Sequence, residues 1–320
     1  MKKILLFIST FAFVLVIIPI VFSVMYKSVL GIELPLNSSF TKTEQITNSE
    51  QVKDVVVPVM RVEKNVVEEL PIEEYIMGVV SGEMYATYEV EALKAQAVAA
   101  RTYAISVLST DEQITDTVQH QVYLDDDQLK ERWGQNYDLY KAKIQQAVLE
   151  TAGQVIEYNG DLIMPLYFSV SNGKTENASD YWSKDLPYFK SVSSEWDKTA
   201  PNYEQVVELP LSTVRDKFND QTLTQDDFKV LSRTEGNSVE EIQVGEKTYT
   251  GREVRELLAL RSADFSILIK DNIVVITTRG YGHGVGMSQY GANELAKQGK
   301  TYVDILNYYY QDIKITEKNS

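Results

Sequence analysis

The sequence predicts an α+β protein in which helices and antiparallel hairpins surround a groove, preceded by one N-terminal transmembrane helix. Three observations predict this: an uncharged apolar run at residues 4–24, long helical patterns such as residues 89–108, and strand–turn–strand patterns at 154–170 and 266–278. Because helices and hairpins are interspersed along the chain, an α+β arrangement is favoured over a doubly wound sheet.

The first element is the apolar run at residues 4–24. As a helix it would span about 32 Å, which is enough to cross the hydrocarbon core of a bilayer. It is longer than the apolar region of about 7 to 15 residues in a cleaved signal peptide. Lys2 and Lys3 precede it, and basic residues before a span favour a cytoplasmic N-terminus. We therefore predict an uncleaved anchor at residues 1–28, in a single-pass protein of the cell membrane whose remaining chain is extracytoplasmic.

The chain after the anchor divides into a tether and a folded domain. Residues 29–54 are predicted to be an extracytoplasmic tether, because serine, threonine and asparagine dilute their apolar content and no period persists. Residues 55–320 have the pattern of a folded domain that begins with a strand. A short helix is expected after Pro71, since proline suits the first turn of a helix. The region 201–260 carries no chemical motif and is a candidate for a subsidiary lobe.

Later elements are predicted from periodicity and turn chemistry. Residues 138–151 have a helical pattern, and the two hairpins would turn at Asn159-Gly160 and at Asp271-Asn272. Thr301 and Asp304 have the spacing of a capping box, which predicts a final helix.

Composition excludes several classes of function. The chain has no cysteine, which excludes disulfides, thiolate catalysis and cysteine zinc sites. Its formal net charge is −15, so bulk electrostatics would repel nucleic acid and anionic polymers. We expect no nucleic-acid partner, and an anionic ligand would have to be met by local cations.

Glu83 is the first candidate for catalysis. It lies between Gly82 and the aromatic pair Tyr85 and Tyr88. Apolar and aromatic neighbours destabilise an ionised carboxylate and raise its pKa, which suits a general acid at neutral pH. The alternative is that Glu83 only stabilises the N-terminus of the next helix.

Two cations of the long helix, Lys94 and Arg101, fall inside its apolar stripe or at the edge of it. Burying an unpaired ammonium or guanidinium group costs several kcal/mol. We therefore predict that both side chains line the wall of a cleft.

A glycine-rich stretch follows the second hairpin. Five of the chain's 16 glycines, at positions 280, 282, 284, 286 and 291, surround His283. Such a loop brings backbone N–H groups close to a ligand and exposes the histidine. A nucleotide-binding interpretation is disfavoured, because the surrounding βαβ unit is missing. The alternative for His283 is a structural hydrogen bond.

A polar run at residues 167–177 follows a strand, and its hydroxyl and amide groups suit hydrogen bonds to sugars. The alternative is a solvated turn. Zinc hydrolysis lacks a His-Glu-x-x-His pattern, and a catalytic triad lacks a Gly-x-Ser-x-Gly elbow. One carboxylic acid remains the best candidate. A lytic transglycosylase can use one, which protonates the leaving oxygen and then accepts a proton from the sugar's own 6-hydroxyl, whereas ordinary glycosidases use two.

Four motifs in order resemble the stage II sporulation protein D family. They are LPIEEYIMGVVSGEM at 70–84, EALKAQAVAARTY at 91–103, SNGKTENA at 171–178 and GHGVGMSQYGA at 282–292. The resemblance extends from about residue 55 to about residue 312, and a membrane anchor fits it.

The resemblance implies a peptidoglycan lytic transglycosylase of endospore-forming bacteria that acts during engulfment and forms 1,6-anhydro products. It implies as substrate a glycan whose peptide stems have been removed by a partner amidase, stage II sporulation protein P, in a membrane complex that includes stage II sporulation protein M. A different class, kept as the alternative, is a non-catalytic glycan-binding module that activates a partner amidase.

The resemblance places the catalytic glutamate at Glu83. Other residues would line the groove and bind the substrate, in roles inferred from their chemistry: Lys94, Gln96, Arg101, Ser171, Asn172, Lys174, Asn177, His283, Ser288 and Gln289. Some relatives hold zinc with cysteines and histidines in the segment before residues 121–123. This chain has only His120 there, so we predict neither a metal nor another cofactor.

Overall fold

A computed structural model of the protein describes residues 55–110, 112–182 and 185–317. The predicted anchor at 1–28 and tether at 29–54 lie outside these residues. No helix within the described ranges has both the length and the apolar character that a membrane crossing requires.

The described elements are short, and helices and strands are interspersed along the chain. The α-helices are α1 Ile72–Glu83, α2 Val90–Leu108, α3 Asp126–Trp133, α4 Tyr137–Leu149, α5 Ala178–Trp182, α6 Leu211–Phe218, α7 Gly251–Leu258, α8 Gln289–Lys297 and α9 Tyr302–Tyr309. The strands are β1 Val56–Arg61, β2 Val66–Pro71, β3 Ile114–Thr115, β4 Gln154–Tyr158, β5 Asp161–Leu162, β6 Tyr167–Phe168, β7 Glu204–Pro210, β8 Phe228–Arg233, β9 Val239–Val244, β10 Lys247–Thr250, β11 Phe265–Lys270, β12 Ile273–Arg279, β13 Met287–Ser288 and β14 Lys314–Glu317.

The strands form small sheets, ordered β2–β1–β3, β14–β4–β5, β13–β6, β11–β12–β7 and β10–β9–β8. Most described pairings are antiparallel, whereas β1 with β3 and β6 with β13 are parallel. The predicted mixture of helices and antiparallel hairpins is therefore confirmed.

The larger core surrounds α2, which confirms the helix predicted near 89–108. This helix is rich in alanine, and Ala95, Ala97, Ala99 and Ala100 are fully buried. Small side chains allow α1, α4, α8 and α9 to pack closely around it. Helix α1 follows Pro71, as predicted, and carries two acidic residues in its first turn.

A second apolar cluster lies in the C-terminal part of the chain. It contains Leu211 and Val214 of α6, Val254 of α7, and residues of β9, β11 and β12 as far as Ile276. The cluster runs past residue 260 because β11 and β12 complete the sheet that β7 begins. A subsidiary lobe at 201–260 stays a prediction.

The two predicted hairpins differ in outcome. The β11–β12 hairpin is confirmed, with Asp271 and Asn272 at positive φ in its turn. In the first hairpin, β4 pairs with only two residues, Asp161 and Leu162, so the predicted long second strand is wrong. Pro165 has no N–H to donate to a ladder, so the strand pairing with β4 ends before it. The next strand, β6, pairs with β13 instead. The capping box at Thr301 is confirmed at the start of α9.

Candidate active site

Glu83 is the last residue of α1, and its carboxylate is bound by two groups from distant parts of the chain. Its Oε1 accepts the Val122 N–H at 2.7 Å, and the Gln289 side chain also donates to it. Helix α2 begins only at Val90, so the alternative that Glu83 stabilises that helix is wrong. The C-terminal end of a helix is instead an unfavourable place for a negative charge.

Burial raises the pKa of Glu83, and the hydrogen bonds from Val122 and Gln289 oppose that effect. Glu83 as a whole residue is partly exposed, so it is not sealed inside the core. A raised pKa brings a carboxyl group closer to the range that suits general acid catalysis.

Two glycines on one face of α1 allow the Val122 amide to approach. A Cβ atom at Gly78 would lie 2.3 Å from the Tyr123 ring, and one at Gly82 would lie 2.4 Å from the Val122 carbonyl oxygen. Residues four apart on a helix face the same neighbour. Gly82, the residue before Glu83, therefore allows the close approach of the segment whose amide binds the carboxylate.

Gln96 and Gln289 are the predicted site residues that the structure brings to Glu83. Gln289 Nε2 donates to Gln96 Oε1 at 3.4 Å, so the two amides and the carboxylate form a chain of hydrogen bonds. Gln96 is fully buried in α2, and its Nε2 has no partner among the described residues. An unpaired buried donor costs about 1–3 kcal/mol, so this amide is a poor choice for stability alone.

Three tyrosines lie close enough to the same carboxylate to be affected by its charge. Burial raises the pKa of Tyr75, Tyr103 and Tyr167, and the charge of Glu83 raises each further. Their hydroxyls therefore remain protonated at neutral pH. Gln121 links two of them, since it accepts from Tyr75 and donates to the Tyr167 hydroxyl at 2.9 Å.

Arg101 does not line the groove, and that prediction is wrong. Its guanidinium group is fully buried and donates to both carboxylate oxygens of Glu73, at 2.6 and 3.0 Å. It also donates to the carbonyl oxygens of Val148 and Gln154. The cation is buried because it is paired, which sequence reasoning missed, since Glu73 precedes it by 28 residues.

Lys94 is also paired away from Glu83. Its Nζ lies 2.8 Å from Glu91 and 2.6 Å from Glu150, and it faces the Tyr302 ring. Lys94 is about 200° around α2 from Gln96, on the opposite side of the helix from the site. The prediction that Lys94 binds the substrate is therefore wrong as well.

Ser171 and Ser288 are buried and donate to Asp197, so their predicted substrate contacts are wrong. Ser288 Oγ lies 2.6 Å and Ser171 Oγ 3.1 Å from that carboxylate, and Ser194 donates to it too. Burial raises the pKa of Asp197 to about 6, against hydrogen bonds that lower it. Sequence reasoning missed Asp197, because it sits in a short 3-10 turn, Glu195–Thr199, with no motif.

His283 is a structural residue, which was the alternative. Its Nε2 lies 3.1 Å from the Tyr167 carbonyl oxygen, and its Nδ1 accepts the Val285 N–H. Burial, with Arg255 and Arg252, lowers the pKa of His283 to about 4, so the ring is neutral at neutral pH. Both nitrogens are occupied by the backbone, and neither is left for a substrate.

The remaining predicted residues lie in and around the 171–177 loop. The Asn172 side chain donates to the Gly236 carbonyl oxygen, and Asn177 donates to Asp180 and Glu235, so both hold loops together. Lys174 is exposed. Asn172, Lys174 and His283 line a cavity of about 10 Å³, which is room for a single water and not for a sugar.

No group of three or more metal-ligating side chains occurs in the part of the chain that the structure describes. His120 lies in the segment where some relatives hold zinc. Its Nδ1 accepts the Thr115 N–H, and its Nε2 faces Glu112 at 3.3 Å. Its ring nitrogens are therefore engaged by protein groups.

An aromatic row begins beside Glu83. The Tyr85 ring is 66% exposed and packs edge-on against Tyr88, at 5.5 Å between centroids. Tyr88 in turn contacts Tyr290, at 6.4 Å, and Tyr290 follows Gln289 in the chain. One exposed ring and two partly buried ones thus follow each other from the acidic side chain, and they form a surface on which an extended ligand can lie.

Known proteins resemble this chain over most of its length. A family model described as Stage II sporulation protein matches residues 61–158, which include Glu83 and Gln96. Stage II sporulation protein D of Bacillus subtilis (strain 168) is 42% identical over 275 residues, which are 83% of this chain and 80% of the relative. The protein of that name from Bacillus amyloliquefaciens gives the same figures. An Amidase enhancer of Bacillus subtilis (strain 168) is 29% identical over 297 residues, 75% of this chain and 40% of that relative.

Proposed function

Because this chain belongs to the stage II sporulation protein D family, a family of sporulation proteins, we propose that it is a lytic transglycosylase of peptidoglycan glycan strands. The observation that carries the proposal is the Glu83 carboxyl group, which belongs to a partly exposed residue and has a raised pKa. Burial and two hydrogen bonds account for that pKa, and no second carboxylate is among the described groups that act on it. One carboxyl group is enough for transglycosylation, in which the same residue acts first as acid and then as base.

The reaction uses Glu83 twice. Protonated Glu83 gives its proton to the glycosidic oxygen, and the bond from that oxygen to C1 of the muramic sugar breaks. The carboxylate then takes the proton of the sugar's own 6-hydroxyl, whose oxygen bonds to C1 and closes a 1,6-anhydro ring. Because Oε1 accepts the Val122 N–H, Oε2 is the oxygen that releases and regains the proton. The Gln289 amide stabilises the transient anion.

We infer the biological setting from family membership. We propose that residues 1–28 anchor the protein, so that the domain acts outside the cell membrane on peptide-stripped glycan during engulfment. The partner amidase would be stage II sporulation protein P, and the membrane partner stage II sporulation protein M. The relative named Amidase enhancer supports a link to an amidase.

The aromatic row supports sugar binding next to Glu83. Replacing Tyr85 with Ala is expected to weaken glycan binding about two- to tenfold, because a stacked aromatic ring is worth about 0.5–1.5 kcal/mol. The expected change is a higher KM at nearly unchanged kcat, measured with peptide-stripped glycan. Tyr281→Ala is the matched control, since Tyr281 is also half exposed but packs on Arg261 instead. A KM equal to that of wild type in Tyr85→Ala contradicts this placement of the glycan.

Replacing Gln96 with Met should separate activity from stability. The change removes an unpaired buried donor, so the free energy of unfolding should stay equal or rise by about 1 kcal/mol. It also removes the acceptor for Gln289, so glycan cleavage should fall. Thermal unfolding and turnover measure the two effects, and Leu93→Met in the same helix is the control. Lost stability with full activity would contradict the functional role of this amide.

The alternative function is a glycan-binding module that activates an amidase without cleaving anything. The name of one relative, Amidase enhancer, supports this alternative. Turnover separates the two: full-length protein is incubated with peptide-stripped glycan alone, and separately with an amidase and intact peptidoglycan. Release of soluble glycan in the first incubation supports the enzyme. No release, together with faster amidase turnover in the second, supports the module and rejects the enzyme.

A further inference from the structure

Arg61, the last residue of β1, is a buried cation with several carboxylate partners. Only 1% of its side chain is exposed. Its Nη1 donates to Glu68 at 2.8 Å, its Nε to Asp116 at 2.9 Å and its Nη2 to Asp125 at 3.0 Å. Glu68 lies on the adjacent strand, β2. Asp116 and Asp125 are far along the chain, so this arginine does more than join two neighbouring strands.

The two distant carboxylates bracket an irregular stretch, residues 117–124, called here the clasp segment. Asp116 is fixed at its other oxygen by the Val62 N–H, and Asp125 caps the start of α3. The Tyr123 N–H bonds to the Asp116 carbonyl oxygen and closes the stretch on itself. Both ends of the clasp segment are therefore tied to one guanidinium group.

The clasp segment delivers the amide that binds Glu83. Arg61 lies 4.8 Å above the Tyr123 ring, which stacks on Tyr75 of α1 at 5.6 Å. The next residue back, Val122, donates its N–H to Glu83 Oε1 at 2.7 Å. A continuous set of contacts thus runs from Arg61 through one aromatic ring to the hydrogen bond on the carboxylate.

We propose that Arg61 is a positioning residue, which holds the clasp segment on α1 so that the Val122 amide stays on the Glu83 carboxylate. A hydrogen bond to the ionised carboxylate favours that form, and burial disfavours it. When the Val122 amide moves away, its hydrogen bond no longer opposes the effect of burial. The pKa of Glu83 then rises further. A general acid with a higher pKa keeps its proton to higher pH. The alkaline limb of the pH–rate profile therefore shifts to higher pH.

Other described groups around Glu83 do not supply this effect. Arg132 of α3 approaches the end of α1, but its guanidinium group donates to the carbonyl oxygens of Ser81 and Gly82 and is not among the groups that act on the pKa of Glu83. The titratable side chains that face it from α1, α2 and β6 are tyrosines that stay neutral at neutral pH: Tyr75, Tyr103 and Tyr167. The clasp segment itself contributes two titratable groups, His120 and Tyr123. His120 is engaged by Thr115 and Glu112, and Tyr123 has a pKa raised to about 12 by burial.

The test is the protonation midpoint of Glu83 in full-length protein. Infrared difference spectra of the carboxyl band, each protein minus its own Glu83→Gln version, are recorded against pH for wild type and for Arg61→Lys. Lysine keeps the charge but cannot reach three carboxylates at once. The midpoint should rise by about one pH unit, which is the loss of one charge-assisted hydrogen bond. The alkaline limb of the pH profile of kcat/KM should shift to higher pH by the same amount. This second readout rests on the proposed function.

The matched control is Lys64→Met. Lys64 pairs with Asp125 and Glu68 from the exposed side of the same network. The cation above the Tyr123 ring is Arg61, not Lys64. Its loss should leave the midpoint unchanged. If Arg61→Lys fails to fold, the milder Asp116→Asn loosens one end of the clasp segment and should shift the midpoint in the same direction. An unchanged or lowered midpoint in the folded variants overturns the proposal, even if their melting temperatures fall. Inactive wild type would reject the proposed function, while the infrared midpoint still decides the role of Arg61.

Discussion

Glu83→Gln is expected to reduce glycan cleavage by about 10²- to 10⁴-fold, which is the contribution of a positioned general acid and base. Glutamine has nearly the same shape and can still accept the Val122 N–H, but it carries no proton to release. Cleavage is measured as soluble fragments released from peptide-stripped glycan by the full-length protein. Wild-type activity should fall as pH rises through the raised pKa of Glu83, because the first step requires the protonated acid.

Glu89→Gln is the control for this substitution. Glu89 lies in the same connection between α1 and α2, and it is exposed. Removing its charge should leave both the rate and the pH profile unchanged. A Glu83→Gln protein that cleaves glycan at the wild-type rate would mean that another group is the acid.

Arg101→Met should destabilise the protein by about 3–5 kcal/mol, because breaking a buried ion pair leaves the partner charge uncompensated. Glu73 would lose its two hydrogen bonds from the guanidinium group, and the carbonyl oxygens of Val148 and Gln154 would each lose one donor. Chemical unfolding of the full-length protein measures the loss. Where the variant is folded, its KM should stay near that of wild type.

Lys94→Met provides the comparison for Arg101. Its partners Glu91 and Glu150 are 32% and 44% exposed, and such a pair is worth about 0–1 kcal/mol. A normally stable Arg101→Met protein with a strongly raised KM would instead restore Arg101 to the groove, as the sequence suggested.

The sequence predicts the parts of this site that depend on local chemistry. Glu83 is recognisable because its flanking glycine and aromatic residues are neighbours in the chain. Helix α2 is recognisable from its alanine-rich period, and the turn of the β11–β12 hairpin from Asp271-Asn272. The Val122 amide is not predictable in this way, since any residue but proline offers an N–H and only the packing of Gly78 and Gly82 selects this one.

The errors come from pairing across long separations. Arg101 looked like a cleft residue because its carboxylate partner, Glu73, belongs to another helix. Lys94 has one partner at the end of another helix, Glu150, and one in its own helix, Glu91, whose spacing of three residues was a local signal that the prediction overlooked. Ser171 and Ser288 looked like sugar ligands because Asp197, which binds both hydroxyls, has no motif of its own. A buried charge or hydroxyl is explained by its partner, and that partner is fixed only by the fold.

Analysis of the new chain ends is the most direct test of Glu83 as the single acid and base. Full-length protein digests peptide-stripped glycan in isotopically labelled water, with Glu83→Gln in parallel, and the fragments are weighed by mass spectrometry. The account predicts 1,6-anhydro muramic ends without solvent oxygen, because the sugar's own hydroxyl closes the ring, and nearly no fragments from the variant. Reducing ends that carry one labelled oxygen would show hydrolysis and contradict it.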